Sequence, residues 1–245
     1  MVACVEMQIS VIIPTLNEAD HIAEVLVRTR ALDGGCEIIV ADGGSTDGTL
    51  SLSGEADVCL TAPRGRASQQ NAAAAAASGD VLLFLHADCW LEPEAIPAIR
   101  SVLADDRIVG GCFQQSIDAS GLRYRLLEWG NAQRVRACKW AYGDQGIFVR
   151  RQVFQRVGGF PDIQLMEDLF LMKRLKRIGR IALLDTRIHV SPRRWQQQGV
   201  IRQTLRNWSL LALAHCGVCP NRLAGFYPHV RCQSREPRVE SREPE

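Results

Sequence analysis

Five apolar residues, Val81 to Leu85, run directly into a histidine and a carboxylate at His86 and Asp88. Side chains alternate along an extended chain, so His86 and Asp88 point to the same side. An aspartate at the end of a buried strand is a hard oxygen ligand suited to Mg²⁺ or Mn²⁺. Its competing role is an Asx turn, or a cap for a helix starting near Glu92. His86 either joins such a metal, touches the ligand, or is a hydrogen-bonded residue behind the ligating one.

Four further clusters could do chemistry. Asp42 follows the apolar run "IIVA" and can accept from a uracil imide N–H or a ribose hydroxyl, or cap the Gly43-Gly44 turn. Arg64 and Arg66 flank Gly65 ahead of an alanine-rich helix. A helix N-terminus with guanidinium groups suits a diphosphate; the plainer reading is two solvated loop arginines. Glu167 and Asp168 precede "LFLMKRLKRIG". Acids there favour the helix dipole, and a carboxylate facing the strand ends can also serve as a general base. Arg193, Arg194 and Trp195 read as a late phosphate or acceptor contact, or as a basic surface turn. Neither GxGxxG nor GxxxxGK[ST] occurs, so dinucleotide and P-loop sites lack their phosphate cradle.

These residues need elements to position them. Ile9 to Ile13 is a β-branched run stopped by Pro14, the first strand. Asn17 is placed to cap a helix with Ile22, Val25, Leu26 and Thr29 on one face. Glu37 to Ala41 and Asp57 to Thr61 read as the second and third strands. "ASQQNAAAAAASG" reads as a helix closed by Gly79, and Val81 to Leu85 is the fourth strand. This β-α-β-α-β order implies a mainly parallel sheet covered by helices. Ligands bind such sheets at the carboxyl ends of the strands. "PTLNE", "ADGGSTDGT" and "HAD" lie at three of those ends, and their convergence is the main functional signal. Beyond Trp90, "EPEAIPAIRSVLAD" reads as a short helix and "IVGGCFQQSI" as a strand with a glycine bend. Arg123 to Lys139 reads as a helix, Gly146 to Val149 as a strand and Arg151 to Val157 as a helix. An amphipathic helix from Glu167 and a strand over "RIALLDTRIHVS" follow.

With 245 residues the chain suffices for one large α/β domain. A net charge of +2 and few, scattered aromatic residues argue against nucleic acid. One CxxC, Cys216 to Cys219, has no second pair or histidine cluster at zinc spacing, which leaves reduced thiols of a cytosolic protein as the reading. The first ten residues lack the features of a signal peptide. No apolar run reaches the ~18 residues of a membrane span. The segment from Val200 to Tyr227 reads as a packed helix or as an interfacial one reaching an amphiphilic acceptor. Residues 231–245 repeat "SREP" and read as a disordered tail.

Together, "SVIIPTLNE", "IIVADGGSTDGT", "GRASQQNAAAAAASGDVLLFLHAD", "VGGF" and "MEDLFLMKRLKRIG" resemble the family 2 glycosyltransferases of GT-A fold. The spacing and "RRW" look most like a small bacterial branch associated with radical-SAM/selenodomain proteins. The likeness covers about Ile9 to Tyr227. It implies one α/β domain over 1–230, with a nucleotide-sugar half near 9–110 and an acceptor half near 111–230. It also implies inverting transfer from a nucleotide-diphosphate sugar, with UDP favoured, to a hydroxyl acceptor, lipid-linked or soluble. On that resemblance Pro14, Asn17 and Glu18 match the first nucleotide-contact motif, Asp42 the base-recognising aspartate and Arg66 the arginine ahead of the glycine/alanine-rich helix. Asp88 matches the last acid of the DxD metal motif and Asp168 the base of the "ED" motif, with Glu167 its first substitute. Arg194 and Trp195 fall on the substrate side. His86 departs from the pattern, where the first DxD acid is usual. The place implied is the cytoplasm, with peripheral contact at the inner face of the membrane. The rivals are a GT-A-type nucleotidyltransferase, disfavoured because "PTLNEADH" lacks its Gly-rich start, and a non-catalytic nucleotide-binding protein.

Overall fold

The computed structural model describes residues 6–215 and 218–226. Cys216 and the expected disordered tail, 231–245, lie outside the described residues. The first half is a parallel sheet. β1 (Ile9–Thr15), β2 (Glu37–Asp42), β3 (Val58–Thr61) and β4 (Val81–Phe84) lie in the order β3-β2-β1-β4, every pair parallel. β1, β2 and β4 are near-continuously apolar because both faces of the sheet are covered. Val11, Ile13, Val40 and Leu83 face one core with α1 (Ile22–Arg30) and α3 (Ala95–Val102). Ile12, Ile39, Leu82 and Phe84 face the other with α2 (Arg66–Ala76). Ala67, Ala73 and Ala74 give α2 a thin buried face, so its backbone lies close to β1 and β2.

The second half extends the same sheet with β5 (Cys89–Leu91), β6 (Ile108–Ile117), β7 (Ile147–Arg150) and β8 (Arg180–Val190). The full order is β3-β2-β1-β4-β7-β6-β8-β5. β7 runs antiparallel between β4 and β6, β6 is parallel to β8, and β5 is antiparallel to β8. The sheet is therefore parallel through its first half and mixed beyond. The expected glycine bend is present: the β6–β8 register slips between Ile108 and Gly110 and again between Phe113 and Gln114. A Cβ on Gly110 would lie 2.4 Å from the Phe148 carbonyl oxygen, and one on Gly111 2.5 Å from that of Ala182. Only glycine lets three backbones approach so closely.

α4 (Leu122–Cys138), α5 (Arg151–Arg156), α6 (Glu167–Leu175), α7 (Arg193–Gln198), α8 (Val200–His215) and α9 (Pro220–Ala224) complete the described elements. Three local expectations are corrected. Asn17 does not cap α1, which starts at Ile22 behind His21. Its backbone is left-handed, φ 55°, and its Oδ1 accepts from the Thr46 N–H at 2.9 Å, so it ties two loops together. Asp88 caps no helix, since α3 begins at Ala95. The "RRW" segment is the first turn of α7 rather than an irregular turn.

Candidate active site

The carboxyl ends of β1 and β4 open on a cavity of about 530 Å³. Its near wall is Pro14, Asn17 and Glu18 after β1, Arg64 to Arg66 before α2, and His86 to Asp88 after β4. Its far wall comes from a 3₁₀ turn over Gly143–Gln145, the start of α6, Arg193 and Trp195 of α7, and α8. The two β-loops hold each other. The Asn17 N–H donates to Ser45 Oγ at 2.8 Å and the Glu18 N–H to Thr49 Oγ1 at 2.9 Å. Gln69 on α2 donates through Nε2 to the Thr15 and Ala41 carbonyls at 2.6 and 2.8 Å, clamping the helix start to the strand ends.

Asp42 is the exception among the expected site residues. It is buried and does not line the cavity. Its Oδ2 accepts from the Gly44 and Ser45 N–H groups, both at 2.8 Å, and its Oδ1 from the Thr15 hydroxyl at 3.2 Å and the Ser45 hydroxyl. Four donors hold Asp42 to its turn, which is the plainer of the two roles its position suggested.

At the end of β4 the ligand atoms of His86, Asp88 and Cys89 lie within 4.8 Å of one another. Asp88 and Glu18 also meet at Arg193, whose Nη2 lies 3.2 Å from Asp88 Oδ2 and 3.2 Å from Glu18 Oε2. Burial raises the Glu18 pKa, Arg193 pulls it back, and Asp88 raises it further. Burial disfavours the charge on Arg193, yet Asp88 and Glu18 together lift its pKa above the usual value. A divalent cation fits this corner. His86, Asp88 and Cys89 offer it an imidazole, a carboxylate and a thiol, and Asp88 is already partnered by a guanidinium.

The opposite corner is acidic and buried. Met166, left-handed at φ 65°, turns the chain into α6 and aims its first two residues at the cavity. Glu167 is buried, and burial pushes its pKa up to about 7; Arg66, with Nη1 at 3.7 Å, opposes and Asp168 adds to the rise. Burial raises the Asp168 pKa as well, while N–H bonds from Gly143 at 2.7 Å and from Leu169 at 2.6 Å hold it down. The Gly143 donor comes from the 3₁₀ turn. A Cβ there would lie 2.5 Å from His86 Nε2 and 3.7 Å from Asp168 Oδ2, so glycine lets the two corners close on the same turn. A carboxyl with a raised pKa, fixed by two N–H donors at the cavity wall, is suited to proton transfer.

The structure thus brings Pro14, Asn17, Glu18, Arg66, His86, Asp88, Glu167, Asp168 and Trp195 to one cavity. The Arg194 side chain lies outside the described residues. Sequence reasoning missed the wall built by Tyr142 and Asp144 and by Gln203, Asn207, Leu210 and Leu211. Asp144 is held by the Gln115 Nε2 at 2.9 Å, and the signal was an acid inside "YGDQG". For α8 the signal was the i, i+4, i+7, i+8 spacing of its four cavity residues, which share one helix face.

The family model described as glycosyl transferase family 2 matches residues 10–158. The undecaprenyl-phosphate 4-deoxy-4-formamido-L-arabinose transferase of Sodalis glossinidius is 33% identical over 156 residues, which are 58% of this chain and 48% of that protein. Its counterpart in Proteus mirabilis is 28% identical over the same shares. The chain thus spans about half the length of these curated relatives. S. aureus TarS 1-349 superposes with a TM-score of 0.60 at 18% identity, over 76% of this chain and 61% of that one. The mannosyltransferase PcManGT from Pyrobaculum calidifontis, in complex with GDP-Man and Mn²⁺, gives 0.59 at 22% identity, over 75% and 57%. At such identities these two likenesses speak for the fold, GT-A. The match over residues 10–158 speaks for more: the chain belongs to glycosyl transferase family 2.

Proposed function

We propose that the chain moves a sugar, with inversion, from a nucleoside diphosphate donor to an acceptor hydroxyl, a UDP-sugar being the favoured donor. The observation that carries the reading is the placing of Asp88 and Asp168 on one cavity, from β4 and from α6. In-line attack needs charge neutralised on the leaving side and a proton accepted on the other. Asp168 accepts the proton as the acceptor oxygen bonds to the anomeric carbon. The bond to the diphosphate breaks as that oxygen closes in, and the electron pair leaves with the nucleotide. Arg64, Arg66 and the N-terminus of α2 face the departing charge. Asp88, with His86 beside it, would hold a Mg²⁺ or Mn²⁺ ion, which would neutralise diphosphate charge. Solved neighbours are described as complexes with UDP or GDP-Man and with Mn²⁺ or Mg²⁺, which supports that reading by analogy.

The names of the relatives favour a second reading of the acceptor, the phosphate of a lipid carrier. A phosphate oxygen is already anionic and needs no base, so the two readings differ in what they ask of Asp168. A lipid acceptor would be met at the inner face of the membrane by peripheral contact. No described helix is long and apolar enough to cross it.

Thermal shifts with a panel of nucleotide sugars, with and without Mn²⁺, followed by a donor-hydrolysis assay, test the proposal. A shift with nucleotide and Mn²⁺ together with slow release of free sugar supports transfer. Release of pyrophosphate from a nucleoside triphosphate and a sugar phosphate would assign a nucleotidyltransferase. Binding without any turnover would leave a nucleotide-binding protein.

A further inference from the structure

Arg193 holds a place that a cation on Asp88 would need. Its Nη2 is 3.2 Å from both Asp88 Oδ2 and Glu18 Oε2, a single nitrogen serving two acids. The acids follow β1 and β4 at the strand ends, whereas Arg193 opens α7, 175 and 105 positions away in the chain. The three side chains are only 23%, 18% and 23% exposed for Arg193, Asp88 and Glu18. Two carboxylates so covered repel each other, and the guanidinium neutralises part of that charge. A divalent ion on Asp88 would supply the neutralisation itself and would face the guanidinium at contact distance, where like charges repel strongly. The two cations exclude one another.

We propose that Arg193 is the resident counter-cation of the Glu18–Asp88 pair and is exchanged for the metal when the donor is loaded. The proposal rests on the reading of Asp88 as metal ligand. Its consequence is conformational. α7 carries Trp195, and α8 carries Gln203, Asn207 and Leu210, into the cavity wall. Exchange releases α7 from the strand ends, so loading the donor reshapes the wall against which the acceptor lies. Donor binds first and acceptor second. Arg193 acts here as a positioning residue, through the wall it tethers.

Mn²⁺ binding to the full chain, followed by loss of the free-ion EPR signal, tests this in wild type, Arg193→Gln, Arg193→Lys and Asp88→Asn, each with and without UDP. Without UDP, Arg193→Gln binds Mn²⁺ at least roughly tenfold tighter than wild type, while Arg193→Lys, which keeps a cation, stays near wild type. Hydrogen exchange over residues 193–207 rises in wild type on adding Mn²⁺ with UDP, and is already high in Arg193→Gln alone. A folded Arg193→Gln that binds Mn²⁺ no tighter than wild type overturns the exchange. If at the same time UDP-dependent Mn²⁺ binding persists in wild type and is lost in Asp88→Asn, the metal reading stands and only the exchange falls. If no variant binds Mn²⁺ under any condition, both fall. If Arg193→Gln does not fold, the wild-type exchange data decide: no rise with Mn²⁺ and UDP overturns the proposal.

Discussion

On the proposed reading, Asp168 is the residue on which chemistry depends most directly. Asp168→Asn keeps the shape and one acceptor oxygen but cannot take a proton. For a hydroxyl acceptor, kcat falls ~10²-fold or more while donor affinity, read by calorimetry, stays unchanged. A loss of less than tenfold would point to the phosphate acceptor or to a base elsewhere, with Glu167 tested next. Asp88→Asn abolishes Mn²⁺-dependent nucleotide binding with the fold intact; unchanged binding would remove Asp88 from the metal site. Glu167 carries a further consequence. Its folded pKa of about 7 stands above the ordinary 4.5. The folded chain therefore holds a proton that the unfolded chain has released, and stability falls as pH rises through that window. The buried neighbour Asp168 is shifted in the same direction. Glu167→Gln removes one of the two raised carboxyls, so in urea unfolding it loses less stability than wild type between about pH 5 and about pH 8. An identical slope in both proteins would show that Glu167 titrates normally. Asp88 was legible because a polar group directly after a buried run must point at solvent or at a ligand; Arg66 and Asp168 stood out as charges at helix starts, and Glu18 only through the family resemblance. Asp42 has the same signature as Asp88, and its oxygens hold the turn behind β2, a role that spacing alone does not distinguish from a ligand contact.

At the scale of elements, β6 is the strand with least freedom. Gly111→Ala puts a methyl against the Ala182 carbonyl and the Phe148 ring, each at 2.5 Å, and neither has room to retreat. The expected cost is about 1–3 kcal/mol by denaturant titration, the usual scale for an overpacked core. A loss under about 0.5 kcal/mol would mean that β6 and β8 spread easily. The strands β1, β2 and β4 were readable from sequence because burial on both faces leaves an unbroken apolar run. The three residues of β5 were not, since so short a strand has no periodicity of its own and exists by pairing with Ile188 to Val190. Nor does a hydrophobic pattern encode its partner. β7 reads as an ordinary strand, and its antiparallel place between β4 and β6 is a property of the assembled sheet. The alanines of α2 let it lie close to β1 and β2. The first turn of α7 could not be foreseen, because Ser191-Pro192-Arg193-Arg194 carries turn and helix-start signals alike.

Over the whole molecule the net charge of +2 conceals an uneven distribution. No acidic residue occurs between Asp185 and Glu236, while Arg187, Arg193, Arg194, Arg202, Arg206 and Arg222 fall in that stretch. α8 walls the cavity with Gln203, Asn207 and Leu210 and presents Leu205 and Trp208 to solvent, Trp208 at 67% exposure. Trp208 is thus no part of a core, although Leu210 on the same helix is. The start of α8 meets α4 through Val200, Trp195 and Tyr124. α4 in turn exposes Leu122, Leu126 and Trp129, an i, i+4, i+7 stripe with Arg123, Arg125 and Arg136 exposed alongside. Exposed aromatic and aliphatic groups flanked by arginine suit the interface of an anionic bilayer. Under the lipid-acceptor reading, α8 would carry that interface to the cavity itself. The full chain should float with anionic vesicles at low ionic strength and detach as salt screens the arginines. Trp208→Ala and Trp129→Ala should each weaken flotation while leaving the thermal midpoint within about 2 °C, since neither side chain is buried. A chain that stays wholly in the soluble fraction at low salt, or a Trp208→Ala protein that unfolds early, would return α8 to a purely structural role and make the acceptor a soluble hydroxyl.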